Sequence, residues 1–172
     1  MRVPLLALAS LLTLATAADA SVIRGLTLKD LRWRAESIAA GTVVGVRTVR
    51  TATSIETVAR VRVDRAFKGI DSRTLSVRVP GGIHAGRRLV VEGSPEFREG
   101  ERVLLFLYRD GDGWRPVGMF QGVWRLDRDD LKVARASRSG GALILAPAAG
   151  RAAVELRERT VSQLVGDAGV AR

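Results

Sequence analysis

One histidine, no cysteine and a large excess of arginine set the chemistry open to this chain. His84 follows the turn-forming run Pro80-Gly81-Gly82, with no carboxylate near it in sequence to orient it as a general base. Zinc needs three or four ligands, so a lone imidazole is read as a loop residue. Without cysteine there is no thiol nucleophile, thiolate metal site or redox switch. Asp110 and Asp112 open with the spacing of a calcium loop. Trp114 then stands where the third ligand belongs, and no glutamate occupies the twelfth position. Asp110-Gly111-Asp112-Gly113 is therefore read as a tight turn whose glycines supply positive φ. Gly81, Gly82 and Gly86, beside Arg87 and Arg88, offer backbone amides to a phosphate, but neither a phosphate-loop nor a dinucleotide pattern is present. Ser94 lies in Gly93-Ser94-Pro95, which lacks the flanking glycines of a nucleophile elbow. Glu96, Glu99 and Glu101 interleave with Arg98 and Arg102, a pattern that predicts surface ion pairs. These residues predict no catalytic site, no metal and no cofactor.

The arginines carry the one binding idea. The formal net charge is +10, and the only lysines are Lys29, Lys68 and Lys132. A basic surface selects acidic partners. Alternation places Arg60 and Arg62 on the outer face of one strand and Arg78 on its neighbour, so that Arg60, Arg62, Arg78, Arg87 and Arg88 form the candidate anion-binding set. Single-stranded nucleic acid also wants exposed aromatic platforms. The outward positions of these strands hold Arg, Asp, Thr and Ser instead, which disfavours it.

The elements that must position these residues begin after an export signal. Met1-Arg2 is followed by an apolar run from Val3 to Ala15 and by Ala18-Asp19-Ala20, small residues where a signal peptidase cuts. Cleavage is expected after Ala20. This makes 1–20 a signal peptide and 21–172 one exported domain of about 150 residues, in the periplasm or outside the cell. Thr27 with Asp30 predicts a capping box. Leu28, Leu31, Ala35 and Ile38 then form a helical stripe that Gly41 would stop, with Trp33 packing on the following strand. Period-two patterns follow: Thr42 to Arg50, Thr57 to Phe67, Leu75 to Val79, Arg88 to Glu92, and the apolar Val103 to Tyr108 as the centre of the core. Trp114 to Gly118 pairs back across the Asp-Gly turn, and Gly122 to Asp127 forms a hairpin with Lys132 to Arg135. A short strand at Ala142 to Leu145 and a helix from Arg151 to Val165 complete the chain. Short strands, frequent turns and a helix at each end predict a mainly β fold, a small antiparallel barrel flanked by an N-terminal and a C-terminal helix.

Between Ala39 and Leu107 the order of pieces resembles a known group. These are Gly41-Thr-Val-Val-Gly-Val46, Val61-Arg-Val63, Phe67-Lys-Gly69, Val77-Arg-Val-Pro-Gly-Gly82, and Phe97-Arg-Glu-Gly100 leading into Arg102-Val-Leu-Leu-Phe106. The span looks like uncharacterised exported bacterial β-barrel proteins. More remotely it is similar to the netrin-like modules of tissue inhibitors of metalloproteinases, which implies an OB-type barrel. Those inhibitors chelate a protease zinc through an N-terminal cysteine clamped by disulfides. Here the expected new N-terminus is Ser21, and no disulfide can form. The sequence thus predicts a non-enzymatic exported module that binds a co-exported protein. The alternatives are a netrin-like metalloprotease inhibitor and an arginine-mediated binder of anionic polymer or envelope surface.

Overall fold

A computed structural model describes residues 25–111 and 113–126 and the backbone of 133–135. The expected signal peptide, the Ala142-to-Leu145 strand and the C-terminal helix lie outside the described residues.

The chain enters through a short helix, α1 (Leu28–Arg34). Thr27 caps it as its sequence predicts: its hydroxyl accepts from the Asp30 amide at 3.1 Å, and the Asp30 carboxylate accepts from the Thr27 amide at 2.9 Å. The helix ends a turn earlier than the apolar stripe implies. Ile38 and Ala40 belong instead to β1 (Ser37–Arg50), because Ser37 to Thr42 pair with Leu107 to Arg102. The stripe was nonetheless one surface: Leu31, Ala35, Ile38 and Ala40 pack in a single cluster, delivered half by helix and half by strand. Trp33 does not pack on β1; it is 81% exposed. Gly41 is no helix stop. A Cβ there would lie 2.4 Å from the Arg62 carbonyl oxygen, so glycine lets β1 bend against its neighbour beside the register shifts in that pair.

The remaining strands are β2 (Ile55–Lys68), β3 (Thr74–Pro80), β4 (Gly82–His84), β5 (Arg87–Leu89), β6 (Arg102–Asp110), β7 (Gly113–Pro116), β8 (Val123–Leu126) and β9 (Val133–Arg135). The main sheet runs β1-β2-β3-β7-β6-β8, with β9 added beside β8, and β1 also pairs with β6. Five strands, β1, β2, β3, β7 and β6, therefore make a nearly closed ring. The expectation of a purely antiparallel arrangement fails at one place. β3 and β7 run parallel and meet at a single pair, Val77 with Trp114. The connection from β3 reaches β7 by way of β6, so β7 arrives in the same direction as β3.

Two apolar clusters share the strands β1 and β6. Inside the ring lie Ala39, Val43, Ala59, Val61, Leu75, Val77, Val79, Phe97, Val103, Leu105 and Leu107. Outside it, α1 and the segment around Val117 cover Ile38, Ala40, Leu104, Phe106 and Trp124. Val103 to Leu107 are all buried because β6 is covered on both faces, which is why its sequence is continuously apolar. The first half of β1, Ser37 to Gly41, is likewise buried on both faces, whereas β2 and β3 cover one face and alternate through most of their length.

Candidate functional site

The ring leaves one end of β1 and β2 open, and the chain between β3 and β6 folds over it. β4 and β5 pair antiparallel, with His84 opposite Arg87, so Ala85 and Gly86 form a two-residue turn with φ of 47° and 75°. Three hydroxyls hold the entry to this hairpin. Thr57 Oγ1 donates to the Gly81 carbonyl at 2.8 Å, Thr48 Oγ1 to the Ile83 carbonyl at 2.5 Å and Ser94 Oγ to the Pro80 carbonyl at 2.6 Å. Gly82 lies where the approach is closest. A Cβ there would stand 2.5 Å from Thr48 Cγ2 and 2.7 Å from Thr57 Oγ1, at a φ of 134°. The glycines read as a turn thus place a hairpin, and Ser94 is a structural hydroxyl.

Between that hairpin, β1 and the loop from Val90 to Arg98 lies a cleft of about 530 Å³. Its floor is aliphatic, from Val46, Leu89 and Val91, with Phe97 joining it to the ring interior. Ile83 and Val90 stand on its walls as two of the most exposed apolar side chains among the described residues, at 60% and 65%. Arg47, Arg88 and Arg98 line it and are exposed.

The candidate arginines do not come together. Arg60 and Arg62 are exposed on the outer face of β2, as alternation requires, and Arg62 pairs with Asp64 at 3.4 Å. Arg78, on the same face of β3, is drawn into a partly buried network around Glu56. Its Nη1 lies 3.8 Å from Glu56 Oε2, while Arg115 Nη2 donates to Glu56 Oε1 at 2.5 Å and Arg115 Nε donates to Asp110. Burial works to lower the Arg115 pKa, but the hydrogen bonds to Glu56 and Asp110 outweigh it, so the pKa is raised and the group is held firmly charged. Arg88 faces the cleft, and Arg87 is exposed on the same strand. The set therefore divides. Arg62 and Arg78 pair with carboxylates on the β2–β3–β7 face, whereas Arg60, Arg87 and the cleft-lining Arg88 make no ion pair among the described residues.

Other expectations also shift. Glu101 pairs not with Arg98 or Arg102 but with Arg125 Nε, at 2.7 Å. Glu99 accepts from the backbone amide of Val46 at 3.2 Å. Asp110 serves Arg115, and Asp112 lies outside the described residues. His84 is half-buried at the end of β4. Among the described residues no group of three His, Asp or Glu side chains is placed to hold a metal ion. The residues missed from sequence are Arg47 and Arg98. Their only signal was charge, and they lie far apart along the chain.

No protein-family model matches this chain, and no curated protein matches it.

Proposed function

We propose that this chain is a non-enzymatic exported binding module, built on an OB-type barrel, that grips a co-exported protein in the arginine-rimmed cleft. The barrel reading is supported by the path of the ring. A three-strand meander is followed by a hairpin whose first strand returns to β1 and whose second closes on β3, a five-stranded and partly open arrangement. The single observation that carries the binding reading is the cleft itself: an aliphatic floor, two exposed apolar side chains on its walls, and arginines that make no ion pair among the described residues. Interfaces concentrate apolar anchors inside a charged, solvated margin. A site for anionic polymer shares those arginines, and they alone favour that second reading. Inhibition of a metalloprotease through the N-terminal amine would rest on residues outside those described.

The test is a photo-cross-linking amino acid placed in the exporting cell at Val90, and separately at Arg62 on the outer face. Adducts with a protein are expected from position 90, and are expected to vanish when Arg88 is changed to glutamate. Equal adducts from both positions, or adducts indifferent to Arg88→Glu, would remove the cleft as the binding site.

A further inference from the structure

The long strand β1 outruns its partner. It pairs with β2 along its whole length, from Ile38 to Arg50, but with β6 only from Ser37 to Thr42. Val43 still exchanges backbone hydrogen bonds with Glu101 and Gly100. Beyond that point no described strand pairs with that edge of β1. The direction of its backbone groups follows from the turn. The Thr51 amide donates to the Ser54 carbonyl at 2.9 Å, so Val49 and Arg47 face β2, and Val46, Thr48 and Arg50 face away. Val46 agrees, since its amide is taken by the Glu99 carboxylate. That side chain occupies the place of a strand carbonyl. The backbone groups of Thr48 and Arg50 have no described strand opposite them, and Thr48 lines the cleft.

Resting on the binding-module reading, we propose that the cleft takes an extended acidic peptide, which adds as a strand to the free edge of β1 at Thr48 and Arg50, beyond the Val46 amide that Glu99 holds. An open edge supplies main-chain hydrogen bonds, and pockets for alternate side chains supply selectivity. Here the apolar side chains of the peptide would rest between Ile83 and Val90. Its carboxylates would meet Arg47, Arg88 and Arg98. The same charges argue against a second copy of this chain as the occupant. Edge-to-edge pairing of two copies would bring Arg47 and Arg50 against Arg47 and Arg50, and like charges across a strand pair repel. They argue for a peptide over a saccharide because the apolar surface in the cleft is aliphatic, and its one aromatic ring, Phe97, is buried.

The experiment uses the full exported chain and a blocked peptide of alternating glutamate and valine, labelled for fluorescence anisotropy. Three comparison peptides accompany it: one with lysine for glutamate, and two in which one or the other alternate set of amides is N-methylated. Heparin serves as the polyanion control. Saturable binding of the glutamate peptide is expected, at least tenfold tighter than the lysine peptide. One methylated form is expected to lose at least tenfold, because methylation blocks the edge that joins β1, while the other keeps its affinity. The variant R47E/R88E is expected to lose at least tenfold with an unchanged melting profile, since neither arginine makes an ion pair among the described residues. Equal binding by both methylated forms, self-association through this edge, or no peptide binding at all overturns strand addition. Heparin binding that is lost in R47E/R88E, with no peptide binding, overturns strand addition yet leaves the cleft as the site. Probe binding untouched by R47E/R88E overturns both.

Discussion

Glu56 shows why a charged residue must be located in space before it is given a role. It is only 8% exposed, and two guanidinium groups, those of Arg78 and Arg115, converge on its carboxylate. Changing Glu56 to glutamine leaves two cations facing each other with little solvent between them. A fully buried pair broken from one side costs about 3–5 kcal/mol. Arg115 keeps 24% of its side-chain exposure, so a smaller loss of about 1–3 kcal/mol is expected in urea unfolding. No change in midpoint would mean the network is solvated. At Gly82 the demand is steric. Gly82→Ala forces a Cβ against Thr48 and Thr57 at a backbone angle that side chains avoid, and is expected to cost about 1–3 kcal/mol. Cleft binding should fall with it, because the β4–β5 hairpin loses its seat. If Gly82→Ala keeps both stability and probe binding, the hairpin is not fixed as described. The site was only partly legible in the sequence for a related reason. Alternation correctly turned Arg60, Arg62 and Arg78 to one face, but it carries no information on which carboxylate crosses from β2 to meet them. Arg47 and Arg98 meet at the cleft only because the ring brings the end of β1 to the loop before β6.

At the scale of elements the period-two signal located β1, β2, β3, β6, β7 and β8, but the strand expected from Arg88 to Glu92 is β5 at Arg87–Leu89, and Gly82–His84, in the run expected to break the ladder, is β4. Of the inward set of β2 and β3, Ala59, Val61, Leu75, Val77 and Val79 are buried as expected and Val63 only partly, and β6 is the centre of both clusters. What failed was the junction of helix and strand. Leu28, Leu31, Ala35 and Ile38 fit helical spacing, and only the pairing of Ser37 to Thr42 with β6 decides that the helix ends first. Local pattern holds no record of a partner that lies more than sixty residues away. The parallel junction of β3 with β7 was illegible for the same cause. The double burial of β6 yields a paired test. Leu105 points into the ring and Phe106 beneath α1, so they sit in different clusters on adjacent residues. Leu105→Ala and Phe106→Ala are each expected to cost about 2–5 kcal/mol, measured by denaturant midpoint. A loss below about 0.5 kcal/mol at both would show that the two-sided core is drawn wrongly.

For the molecule as a whole, the charge and the proposed export signal bear on where it works. The net charge of +10 includes carboxylate-paired arginines that contribute little to a local field, so the unpaired cleft arginines shape the surface a partner meets. Sequencing of the chain recovered from the exported fraction is expected to begin at or next to Ser21. Recovery of an intact Met1 from membranes would remove the export proposal. The joint between β3 and β7 has a consequence of a different kind. Four of the ring's five contacts are antiparallel ladders, and the fifth is one bridging pair, Val77 with Trp114. A cylinder of slats with one weak stave opens there first. Breathing at that joint needs no ladder to unzip, so it admits solvent to the interior at far less than the cost of global unfolding. Amide exchange should report it as early labelling of the amides of β3 and β7 that face each other, while amides bonded in the β6–β7 and β1–β6 ladders exchange only with the whole molecule. Uniform protection across the ring would mean that the single pair is as firm as the ladders, and that side chains crossing the joint, such as Arg78 of β3 packed against Gly113 of β7, clasp it.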